Sequence, residues 1–140
     1  MLTNQSPHPL QDRRILVVED ESLLMHELAV RLEDVGAVVL GPYASADRAL
    51  EFLDSKQRID LAILDLNLNG EPADAVADVL QARGIPFVIT SGYKTHDSDD
   101  RYDGVRHFDK PVDFAALFEA LAAAPNERRP VAYASSGTKS

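Results

Sequence analysis

Four short apolar runs, Ile15–Val18, Val38–Leu40, Leu61–Leu64 and Phe87–Thr90, recur along the chain with room for one helix between each pair. They are rich in β-branched residues and lack polar alternation, the pattern of strands buried on both faces. A weaker run, Val105–Phe108, supplies a fifth strand. The segments between the runs carry helical periodicity. Leu24, Leu28, Leu32 and Val35 share one stripe, which Gly36 ends. Ser45 is placed to cap Ala46–Leu53, whose Ala46, Ala49, Leu50 and Leu53 face inward. Ala73, Val76, Ala77 and Leu80 make a third stripe before Gly84, and Phe114, Leu117, Phe118 and Leu121 make the last, capped by Asp113. Tyr93–Gly104 is polar and turn-rich, so the fourth helix, which belongs there, is expected to be short or frayed.

Strand–helix alternation implies right-handed crossovers and a parallel sheet covered on both faces. Five such strands suit a doubly wound α/β fold with the flavodoxin-like order 2-1-3-4-5. The folded unit is expected over residues 14–123, between a polar, flexible leader (1–13) and tail (124–140). At 140 residues, 45% of them hydrophobic, the chain fits one domain. It has no cysteine, which excludes disulfides, thiolate metal sites and a cysteine nucleophile. No apolar run approaches the roughly 18 residues of a membrane span. The first fourteen residues lack the basic and apolar regions of a secretory signal, so a cytoplasmic location is expected. With 23 acidic against 14 basic residues the net charge is −9, which argues against a nucleic-acid partner. The glycine-rich nucleotide-binding motifs are absent.

In a parallel sheet all strand carboxyl ends lie on one edge, where ligands bind. Glu19-Asp20 ends the first strand, Asp65 the third, Thr90-Ser91 the fourth and Asp109-Lys110-Pro111 the fifth. Three carboxylates, a hydroxyl and an ammonium thus converge from distant positions. The carboxylates would raise one another's pKa values unless a cation neutralised them, and Mg²⁺ suits such an oxygen-rich set. An aspartate beside Mg²⁺ is a competent nucleophile toward phosphorus, and a lysine and a hydroxyl would balance the charge of the transferred group. The constellation reads as a phosphoryl acceptor.

From about Arg14 to Ala123 the chain resembles the receiver domains of bacterial two-component response regulators, of the stand-alone, single-domain type. The resemblance rests on Glu19-Asp20, Asp65, the switch hydroxyl and Lys110-Pro111. It implies that Asp20 and Asp65 bind Mg²⁺ directly, Glu19 mainly through water, and the Asn67 carbonyl as a further ligand. Asp65 would be the phosphoacceptor, Lys110 would pair with the phosphoryl group, and the Lys110–Pro111 bond would be cis. The switch hydroxyl, five residues after Pro86, is Ser91, with Thr90 as the alternative. His107, three residues before Lys110, holds the position usually taken by Tyr or Phe. The segment Pro86–Tyr93 partly matches a subgroup signature Pro-Phe-x-Phe-Ala-Thr-Gly-Tyr, which points to stress signalling.

The implied partner is a histidine kinase or a histidine phosphotransfer protein, and the protein itself would be a monomer or weak dimer. Output would run through protein contacts or phosphate flow, as a sink, a relay or an allosteric regulator. Two other functions compete. One is a receiver-like docking module that is never phosphorylated, which would not need the full acidic set. The other is an aspartate-based phosphatase, which needs an acid two residues after its nucleophile, where this chain has Asn67.

Overall fold

A computed structural model describes residues 7–68, 71–92, 102 and 104–124. The main sheet contains β1 (Arg14–Val18), β2 (Val38–Tyr43), β3 (Leu61–Asp65), β6 (Phe87–Ser91) and β7 (His107–Asp109). Its order is β2-β1-β3-β6-β7 and every pairing is parallel. In sheet-strand count this is the 2-1-3-4-5 order. A two-stranded antiparallel ribbon, β4 (Asn67–Leu68) with β5 (Glu71–Pro72), follows β3 and was not anticipated from the sequence, because each strand is only two residues long. The helices are α1 (Ser22–Asp34), α2 (Ala46–Asp54), α3 (Asp74–Ala82) and α4 (Phe114–Ala123).

Alternation along the strands sorts the core into two layers. Ile15 and Val17, Leu61 and Ile63, and Val88 pack with Leu24, Leu28 and Leu32 of α1 and Leu117 and Leu121 of α4. Leu16 and Val18, Ala62 and Leu64, and Ile89 pack on the opposite face with Ala49 and Leu53 of α2 and Val76, Ala77 and Leu80 of α3. Ser45 caps α2 by accepting a hydrogen bond from the Arg48 amide, and Asp113 caps α4 through the Ala116 amide.

Two boundaries differ from the sequence expectation. Residues 8–13 are not a loose leader. Leu10 is fully buried in the α1/α4 layer, the Asp12 amide donates to the Gly36 carbonyl at 2.8 Å, and the Leu10 amide donates to His8 Nδ1. A single leucine between Pro9 and Gln11 has no periodicity, so its burial left no pattern to read. β2 runs to Tyr43 instead of Leu40, through Gly41 and Pro42. The expected fourth helix within Tyr93–Gly104 falls almost wholly outside the described residues, as does the tail beyond residue 124. Among the described residues no helix is long and apolar enough to cross a membrane.

Candidate functional site

The strand order reverses between β1 and β3, because β1 leads to β2 on one side while β3 lies on the other. A crevice opens at such a point, outside the carboxyl ends of the strands. Glu19 and Asp20 leave β1 there, Asp65 ends β3, Ser91 ends β6, and Lys110 follows β7. The Lys110 ammonium donates to Glu19 Oε2 at 2.9 Å and to Asp65 Oδ2 at 3.1 Å. These bonds join residues 91 and 45 positions apart, so the fold alone brings the groups together. Glu21 Oε1 lies 3.8 Å from the same ammonium; as an exposed acid after the acidic pair it gave no signal in the sequence.

The remaining lone pairs are partly used. Asp65 Oδ1 accepts from the Asn67 amide at 3.1 Å, and Glu19 Oε2 accepts from the Glu21 amide at 3.1 Å. The Thr90 hydroxyl donates to Glu19 Oε1 at 3.5 Å. Glu19, Asp20 and Asp65 each offer an oxygen, and all three lie within 4.8 Å of one another. Three acids this close, two of them buried, against one ammonium leave uncompensated negative charge, and a divalent cation fits that donor set.

Burial pushes the Glu19 carboxyl up to about 7, against the pull of the Lys110 hydrogen bond and with the help of the neighbouring Asp65 charge. Burial also raises Asp65, opposed by the Asn67 amide and by Lys110. Burial lowers Lys110, but its bonds to Glu19 and Asp65 outweigh that and leave its pKa raised.

Thr90 stands in register with Asp65, and Ser91 with Asp109. Alternation therefore puts the two buried hydroxyl side chains on different sides of the strand end. The Ser91 carbonyl accepts from the Lys110 amide at 3.0 Å, which fixes the lysine's backbone to the end of β6. Asn67 is exposed on the ribbon after β3. His107 is half-buried on β7, beside Ile89, with Nδ1 at 3.1 Å from the Val105 carbonyl oxygen. The Lys110–Pro111 peptide is cis. Beside Lys110 a cleft of about 420 Å³ runs between the start of α1 and the start of α4, lined by Leu23, Leu24, Glu27, Val112 and Phe114 among others.

No protein-family model matches the chain. The fold superposes on the solution structure of SdrG from Sphingomonas melonis Fr1, with a TM-score of 0.68 and 35% identity over 81% of this chain and 98% of that one. A BeF3-activated conformation of SdrG, from Pseudomonas melonis Fr1, matches with a TM-score of 0.65 and 34% identity, covering 84% of this chain and 97% of that one. A response regulator receiver protein from Sinorhizobium medicae WSM419 gives 0.68 and 27%, covering 82% of this chain and 98% of its own. Among curated proteins, the transcriptional regulatory protein PdtaR of Mycobacterium tuberculosis is 26% identical over 123 residues, 85% of this chain. The chain spans 60% of the length of that relative. With a receiver's sheet order, an acidic crevice at its switch point, and these likenesses over most of its length, the chain belongs to the response regulator receiver family.

Proposed function

We propose that Asp65 accepts a phosphoryl group from a phosphohistidine on a histidine kinase or a histidine phosphotransfer protein. The observation that carries this reading is the Lys110 ammonium held between Glu19 and Asp65 at the switch-point crevice. A carboxylate oxygen of Asp65 attacks phosphorus, the phosphorus–nitrogen bond breaks, and the imidazole nitrogen leaves with the electron pair and takes up a proton. Lys110 then faces a phosphorylated Asp65 and pairs with an oxygen of the transferred group. Ser91, or Thr90 in its place, donates a hydroxyl hydrogen bond to another.

Asp20 and Asp65 would hold Mg²⁺ directly, the Asn67 carbonyl would add a ligand, and Glu19 would act mainly through water. When bound, the ion neutralises charge that builds on the transferring oxygens. The BeF3-activated conformation of SdrG supports the reading, since BeF3 mimics a phosphoryl group. The cleft beside Lys110, with Leu23 exposed at its rim, suits a helix of the donor that carries its histidine to Asp65. Asn67 in the position of a phosphatase's general acid favours a phosphoacceptor over a multiple-turnover enzyme. Output would pass through the segment after Gly92 and the face around His107.

Calorimetric titration with Mg²⁺ tests the site. Binding by the native chain and its loss in Asp20→Ala and Asp65→Asn are expected. Undiminished binding in both variants would move the ion elsewhere, and no binding by the native chain would favour a docking module.

A further inference from the structure

β1 and β2 pair evenly through Arg14↔Val38, Ile15↔Val39 and Leu16↔Leu40, and then the register jumps to Val18↔Tyr43. β1 advances two residues while β2 advances three, so β2 carries one extra residue at Gly41-Pro42. Such a bulge bends a strand and re-aims the residues beyond it. Here it delivers the Tyr43 carbonyl to the Glu19 amide, which donates to it at 2.9 Å. Glu19 is the first residue past β1, its side chain is buried, and its Oε2 holds Lys110. That bond ties the main chain bearing the acidic pair to β2.

We infer that the Gly41–Tyr43 bulge is a positioning device for the acidic pair, and that Gly41 and the Tyr43 carbonyl set where Glu19 and Asp20 stand. Gly41 has φ +99°, a conformation that side chains disfavour. A Cβ on Gly41 would lie 2.8 Å from the Tyr43 amide nitrogen and 2.8 Å from its ring, so any side chain there displaces Tyr43. The ring packs on Phe52 at a centroid separation of 5.5 Å, so swinging it away costs that contact, and the amide nitrogen moves only with the main chain. A slip of one residue moves a strand by about 3.3 Å, more than the Glu19–Lys110 hydrogen bond tolerates. Gly41 and Tyr43 touch no reacting atom; they act through Glu19.

The inference rests on the metal-binding reading of the site, and its test separates the two. Amide hydrogen exchange and Mg²⁺ titration are measured on the full chain, on Gly41→Ala and on Leu121→Ala, a core change in α4. Gly41→Ala is expected to speed exchange of the Glu19 amide selectively and to weaken Mg²⁺ binding about tenfold, as loss of a ligand's support does. Leu121→Ala should lower stability and speed exchange of core amides together, with no selective change at Glu19 and no change in Mg²⁺ binding. If Gly41→Ala fails to fold, Gly41→Asn replaces it, since Asn tolerates positive φ while its Cβ still meets Tyr43. Unchanged Glu19 exchange, or equal weakening in Leu121→Ala, overturns the inference. If the native chain binds no Mg²⁺, the metal reading fails, and Glu19 exchange alone decides the positioning role.

Discussion

Raising the pH toward neutrality is expected to destabilise the metal-free protein, with buried Glu19 contributing alongside Asp65, whose pKa burial also raises. The Glu19 carboxyl is pushed up to about 7 from 4.5, and it is 0% exposed, so solvent does not screen the effect. Because its folded pKa lies above the unfolded one, the folded state binds the extra proton. The stabilisation is complete below the unfolded value and is lost as pH rises through the folded one. The proton-linkage ratio between the two states is roughly 4 at about pH 5 and roughly 240 at about pH 7.5, a loss of about 2 kcal/mol across that interval. Other carboxylates titrate over the same range, so the comparison is with Glu19→Gln, which removes this proton and keeps the shape. Urea unfolding followed by far-UV circular dichroism, without divalent ions, is the assay, as the chain has no tryptophan. Between the two pH values the native chain should lose about 2 kcal/mol more than Glu19→Gln, a relative midpoint shift of roughly 1 M urea. Parallel pH dependence in the two proteins would refute the assignment of the buried proton to Glu19.

Leu10→Ala should cost about 2–4 kcal/mol in the same unfolding assay, because the side chain is wholly buried although it precedes β1; a cost near zero would mean residues 8–13 do not hold the core. Tyr102→Phe removes a 2.5 Å hydrogen bond to Asp74 Oδ1 at the start of α3, and should cost about 1–2 kcal/mol while speeding exchange of the Val105 amide, which donates to the Tyr102 carbonyl. Ser91→Ala should weaken capture of BeF3 in the presence of Mg²⁺, read by amide shift changes, more than Thr90→Val does; the reverse order would give the switch to Thr90.

The sheet was legible because each central strand is a run that stays apolar on both faces and alternates with helical stripes, a combination that suits a doubly covered parallel sheet. The caps at Ser45 and Asp113 were legible because a side-chain oxygen before an apolar stripe has one efficient use. The approach of Glu19, Asp65 and Lys110 followed from their shared place at strand ends. The features hidden from the sequence depend on backbone or on single contacts. The apolar run ends at Leu40, yet the strand bends through Gly41-Pro42 and carries on to Tyr43. Leu10 lies among prolines and polar residues, where local pattern says tail and tertiary packing says core. The sharing of Lys110 between two carboxylates, with Glu21 close by, depends on side-chain reach and burial, which periodicity does not encode.

The central claim, that Asp65 accepts a phosphoryl group in a site completed by Lys110 and a divalent ion, is tested most directly by intact mass. The native chain and Asp65→Asn are each incubated with Mg²⁺ and a small acyl phosphate, and the incubations are then repeated with chelator. A gain of one phosphoryl group in the native chain alone, lost with chelator, is the predicted result. Equal phosphorylation of Asp65→Asn, or a gain that persists without divalent ions, would contradict it.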